Sequence, residues 1–127
     1  MRVKCIIIDG SLLAERYRCL GYEAETMIAV ESGKVYEVYA TSVWRSIVSV
    51  LVVDEDDFPT WYPAEVFEIV CNSIPGDWFF KYYSDNEFGL QAVWGPEYLV
   101  KDERFYDALN DREPSALHTF RQELSCR

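Results

Sequence analysis

Glycine and proline are scarce in this chain, with six and five residues in 127. Disordered and collagen-like chains are rich in both and poor in aromatics, whereas 16% of these residues are aromatic and 50% are hydrophobic, so neither class applies. A chain of this length and hydrophobicity can bury one core without disulfide or metal staples, and the expectation is a single domain over residues 1–127. Long apolar runs are missing too. The longest, Ile47 to Val53, is interrupted by Ser49 and falls far short of the roughly 20 residues that span a bilayer as a helix. Met1-Arg2-Val3-Lys4 supplies a basic start, but only Cys5 to Ile8 follow before Asp9-Gly10, too few for the hydrophobic region of a signal peptide. The expected location is the cytoplasm.

Cys5, Cys19, Cys71 and Cys126 form no Cys-x-x-Cys pair, which removes the common zinc and redox signatures. Reduced thiols fit a cytoplasmic chain, and a disulfide framework with three possible pairings is the alternative. His118, the only histidine, cannot make a two-histidine metal site, and no Gly-x-Ser-x-Gly nucleophile accompanies it. Glycine-rich phosphate loops and basic patches are absent as well, which argues against nucleotide and nucleic-acid chemistry. No catalytic residue, metal or cofactor is expected, and nucleic acid and membrane are not expected partners.

Charge is abundant but one-sided. Residues 1–50 carry six basic and six acidic side chains, residues 51–127 six basic and sixteen acidic, so the net charge of −10 lies entirely in the second part. Such a field repels phosphate and anionic lipid and speeds encounter with a basic partner; solubility is the plainer explanation.

Arg2 to Ile8 reads as a first strand, rich in β-branched residues and stopped by Asp9-Gly10. Residues 11–20 read either as a short helix or as an irregular crossing. Alternation from Tyr22 to Val30 predicts a half-buried strand with one acidic face, closed into a hairpin by Glu31-Ser32-Gly33-Lys34 and returned by Lys34 to Ala40. Trp44 to Val53 is apolar almost throughout, as a strand buried on both faces should be. Trp61 to Val70, Trp78 to Tyr83 and Leu90 to Trp94 complete the strands. After Gly95-Pro96 the period changes: Phe105, Tyr106 and Leu109 predict one helix, and Leu117, Phe120 and Leu124 a second that Pro114 can start. The spacing of Trp44, Trp61, Trp78 and Trp94 is nearly regular, but their flanks differ, so strand-plus-turn spacing explains it better than a repeat.

The fold expected is mainly β (α+β): a bent antiparallel sheet or small barrel over residues 1–94 with a helical pair over 103–127 packed on it. Trp61-Tyr62-Pro63-Ala64-Glu65-Val66 resembles the W-x-x-A-x-V strand of Tudor-, Agenet- and SH3-like small barrels. That resemblance implies a barrel-like shape over about a third of the chain.

Several constellations invite a chemical reading. Asp54-Glu55-Asp56-Asp57 could meet a hard cation, but an EF-hand loop starting at Asp54 would need glycine where Pro59 stands, and a solvated loop is the simpler reading. Glu65, Glu68 and Asp77 could pair as acid and base, yet alternation puts Glu65 and Glu68 on opposite faces of a strand. The densest feature is aromatic and acidic together. Trp61, Tyr62, Trp78, Phe79, Phe80, Tyr82, Tyr83 and Trp94 accompany Asp77, Asp85 and Glu87; one set on each strand is core and the other can be exposed. The candidate binding residues are Trp61, Tyr62, Glu65, Asp77, Trp78, Phe80, Tyr82 and Trp94, because exposed Trp and Tyr beside acids suit a protein hot spot or a cation pocket.

The leading functional expectation is a protein-binding module that docks a basic partner protein. In size, acidity and lack of catalytic motifs the chain resembles the immunity proteins that neutralise secreted toxins. The alternatives are a barrel or enzyme with an aromatic and carboxylate pocket for a small molecule or cation, and an accessory subunit that docks through its C-terminal helices.

Overall fold

The computed structural model describes residues 1–6, 29–83 and 89–125. These residues form eight strands: β1 (Arg2–Cys5), β2 (Val35–Glu37), β3 (Ala40–Trp44), β4 (Ile47–Val53), β5 (Pro59–Pro63), β6 (Phe67–Cys71), β7 (Phe79–Tyr82) and β8 (Leu90–Gly95). Three helices follow: α1 (Glu97–Val100), α2 (Glu103–Asn110) and α3 (Pro114–Ser125). Every strand pair is antiparallel, in a three-stranded sheet of order β2-β1-β6 and a five-stranded sheet of order β5-β4-β3-β8-β7. The fold is therefore mainly β with helices at its C-terminal end, and no pairing among the described strands closes either sheet into a barrel.

One segment joins the two sheets. Val38 N–H donates to the Met1 carbonyl, on the side of β1, whereas Tyr39 N–H donates to the Leu51 carbonyl in β4. Successive residues thus serve different sheets, and the bend between β2 and β3 is where the core divides. Val50 and Val52 of β4 pack inward with Val3, Val38, Val66 and Phe67, while Leu51 points the other way into a second core with Ala40, Leu99, Leu109 and Phe120. An apolar run buried on both faces needs no alternation, which accounts for its sequence pattern.

The strand expected over Trp44–Val53 is formed from Ile47 to Val53 as β4, whereas Trp44 ends β3 and a hairpin turn lies between them. Arg45 and Ser46 both adopt positive φ, 48° and 65°, turning β3 directly into β4. Two-residue hairpins favour this geometry for its twist, but Asn and Gly are its usual signals, and neither is present. The strand expected over Trp61–Val70 is also divided. Pro63 ends β5, and a 3₁₀ turn over Ala64–Val66 carries the chain into the other sheet as β6. Both prolines of β5 lie on an edge strand, where a missing N–H costs no ladder bond.

The turn at Glu31–Lys34 is formed, with Lys34 N–H donating to the Glu31 carbonyl and Gly33 at φ 85°. Of the first expected strand, Ile7 and Ile8 lie outside the described residues, as do the ambiguous segment 11–20 and Tyr22 to Ile28 of the expected hairpin.

The helical pair follows its periodicity. Tyr106 and Leu109 of α2 and Leu117 and Phe120 of α3 are buried, and Asp102 caps α2 by accepting the Arg104 N–H at 3.0 Å. The short α1, which begins directly after Pro96, had no separate sequence signal. Among the described residues no helix is long and apolar enough to cross a membrane.

Candidate functional site

The eight candidate residues separate into scaffold and surface. Tyr62 is buried and its hydroxyl donates to Asp54 Oδ2 at 3.0 Å. Trp61 packs its ring 5.4 Å from that of Tyr106, on the helix side of β5. Trp78 lies half-buried against the core beneath β1, and Glu65 sits in the 3₁₀ turn instead of on a strand. Tyr62, Trp61 and Trp78 support the fold, and Glu65 lies away from the groove-lining set. The other four gather at the far end of the larger sheet: Asp77 just before β7, Phe80 and Tyr82 on β7, and Trp94 on β8. Phe80 and Tyr82 are 54% and 68% exposed, and the Phe80 and Trp94 rings lie 4.6 Å apart.

Alternation along β7 gives it two faces. Phe80 and Tyr82 lie with Trp94 on the face away from the helices. Phe79 lies on the helix side, where the Lys101 amine sits 4.8 Å from its ring centroid. Tyr83, just past β7, has that same orientation and donates its hydroxyl to the Val100 carbonyl at 3.1 Å, fastening α1 to the strand.

Between β7 and the helices runs an open groove of about 800 Å³. Its aromatic lining is Phe79, Tyr98 and Phe105, the last two packed edge to face with centroids 5.3 Å apart. Among the described residues its charged lining is Asp77, Glu97, Asp102 and Glu123 against one amine, Lys101, which Glu97 holds at 2.8 Å. The negative field extends past the rim. Burial, and after it the carboxylates of Glu103, Asp102 and Asp107, push the Tyr83 phenol above its ordinary value. Burial likewise pushes the neighbouring Tyr106 up to about 12.

Only Asp77 among the eight candidates lines this groove. Glu97, Asp102 and Glu123 had one legible signal, the acidity of the second half of the chain, and Lys101 had none. Their convergence on Phe79 depends on β7 pairing with β8, whose end leads straight into α1.

The remaining constellations are divided by the fold. In the acidic run Asp54 is buried and turned onto its own loop, while Glu55 accepts hydrogen bonds from Lys34, at 2.7 Å, and from the Tyr36 hydroxyl. Those two bonds hold the Glu55 carboxyl below its ordinary pKa. Glu68 lies exposed on β6 opposite Lys4, away from Asp77. His118 is exposed on α3. Among the described residues no three His, Cys, Asp or Glu side chains converge as a metal site would require. Compared with known protein families, curated proteins and solved structures, the chain matches none.

Proposed function

We propose that this chain is a protein-binding module whose acidic, aromatic groove receives a basic segment of a partner protein. The observation that carries the reading is the groove's composition: three aromatic rings beside four carboxylates and one already paired amine. Aromatic faces and carboxylates both favour guanidinium and ammonium groups, and partial desolvation strengthens each attraction. The net charge of −10 adds long-range steering toward such a partner.

A small-molecule pocket has less support. Among the described residues a second, smaller cavity of about 160 Å³ falls below the roughly 300 Å³ at which ligand pockets begin, and its walls, such as Val3, Val50, Phe67 and Ile69, carry no carboxylate. The C-terminal helices spend their apolar faces on the core and contribute to binding through Asp102, Phe105 and Glu123. Kinship with SH3-like small barrels remains part of the proposal. Its support is the succession β6-β1-β2, continued through the bend into β3 and on to β4 and β5, with the 3₁₀ turn between β5 and β6.

The test is calorimetric titration of the full chain with an amidated octapeptide of alternating arginine and valine at low salt. Neutralising the groove (Asp77→Asn, Glu97→Gln, Asp102→Asn and Glu123→Gln together) should weaken binding about tenfold or more. Asn still caps a helix, so the change at Asp102 spares α2. The variant Glu31→Gln, Asp56→Asn, Glu65→Gln and Glu68→Gln changes net charge equally at residues that do not line the groove, and should bind nearly as the parent does. Equal loss in both variants would reduce the effect to bulk charge, and no binding to the parent would overturn the proposal.

A further inference from the structure

The outer edge of β7 adds a second feature to the groove. β7 pairs with β8 alone among the described strands. Tyr83 N–H donates to the Gln91 carbonyl at 2.8 Å, and the register places Lys81 opposite Val93 and Phe79 opposite Gly95. Hydrogen-bonded pairs alternate in an antiparallel ladder, so residues 79, 81 and 83 bond to β8, and the N–H and C=O groups of Phe80 and Tyr82 point outward. All four residues of β7 are exposed, three of them aromatic. Edge strands are commonly blunted by charge, proline or a bulge. Here the charge is Lys81, whose amine lies 4.8 Å from the Tyr83 ring centroid, on the face opposite Phe80 and Tyr82.

We infer that the basic segment binds in extended form, as a strand added to the outer edge of β7, with basic and apolar residues alternating. This rests on the proposed docking function and specifies its ligand. Outward backbone groups at Phe80 and Tyr82 supply the main-chain hydrogen bonds of strand addition. Residues of the added strand opposite Phe80 and Tyr82 fall on the face where Phe80 stacks on Trp94, which suits apolar side chains. Residues between them fall on the groove face beside Asp77, Glu97 and Asp102, which suits arginine or lysine. Lys81 and Lys101 share that groove face, and ring contacts and Glu97 occupy them. A second copy of the chain is a poor occupant, since each carries −10 and its own β7 offers a single basic residue.

Two measurements on the full chain with the arginine-valine octapeptide test this. Amide exchange of Phe80 and Tyr82 should slow about tenfold or more at saturation. Tyr82→Pro removes one outward N–H without touching a bond to β8, and should bind about tenfold more weakly than Tyr82→Ala, which keeps it. A block octapeptide of four arginines followed by four valines should also bind more weakly. Unchanged exchange at Phe80 and Tyr82 in the saturated parent overturns strand addition even if the proline variant misfolds. If exchange is unchanged while groove neutralisation still weakens binding, the docking function stands and only the strand geometry falls; if the octapeptide does not bind, both fall.

Discussion

Phe120→Ala should lower the unfolding free energy by about 3 to 5 kcal/mol, the largest effect expected of any single substitution in the helices. Phe120 is 1% exposed and is the largest of the fully buried side chains. Its ring meets that of Tyr39 edge to face, with centroids 5.7 Å apart, and its cluster includes Ala40 and Leu51 of the sheet and Leu99 of α1. Truncation removes the ring's transfer energy and leaves a cavity in a cluster drawn from β3, β4 and all of α1, α2 and α3, so collapse around it is restricted. Phe120→Leu refills most of that space and should cost about 1 to 2 kcal/mol. Urea denaturation measures both. The same helix carries Thr119 and Glu123 to the groove, so the alanine variant should bind the octapeptide more weakly as α3 loosens. A small loss of stability would mean that the helical pair lies on the sheet without being part of its core.

Asp54→Ala should cost about 3 to 5 kcal/mol, for an electrostatic reason instead of a steric one. The side chain is 5% exposed and accepts four hydrogen bonds: Oδ1 from the backbone N–H groups of Asp56 and Phe58, at 3.0 and 3.2 Å, and Oδ2 from the hydroxyls of Thr60 and Tyr62, at 2.8 and 3.0 Å. One carboxylate thus closes the β4–β5 turn, in which Asp57 has φ 64°, and satisfies a buried tyrosine. Alanine strands the two backbone N–H groups and the Tyr62 hydroxyl at once, and leaves the Thr60 hydroxyl only the Phe58 carbonyl, at 3.2 Å. Asn keeps an acceptor for the turn and loses one toward the hydroxyls, so Asp54→Asn should cost about half as much. Tyr62→Phe deletes one donor with its partner still served by Thr60, and should cost about 1 kcal/mol. If the three variants rank otherwise in urea denaturation, the carboxylate does not organise this turn.

What the sequence disclosed and what it hid follow from the same physics. Periodicity is a local signal, so the helices were readable from Phe105, Tyr106, Leu109, Leu117, Phe120 and Leu124, and the two-sided burial of β4 from an apolar run broken only by Ser49. Turns without Gly or Asn are nearly silent: Arg45-Ser46 reverses the chain between apolar residues on either side, and Ala64–Val66 re-aims it within a segment that otherwise reads as strand. The aromatic cluster was visible as composition, but not which members face inward. That choice depends on neighbours far away in sequence: Tyr106 covers Trp61 and Asp54 engages Tyr62, whereas Phe80 and Tyr82 lie on a strand with one neighbour among the described strands. The groove's acids were countable in the sequence, and their meeting with Phe79 required the fold.

Amide chemical-shift mapping of the isotope-labelled full chain during titration with the arginine-valine octapeptide tests the central claim most directly. The expected result is a contiguous set of perturbed residues, Asp77, Phe79 to Tyr82, Glu97, Lys101 and Asp102, fading as salt screens the carboxylates. Perturbation centred instead on the exposed Val48 and Ile69, near the smaller sheet, or absent at low salt, would contradict it.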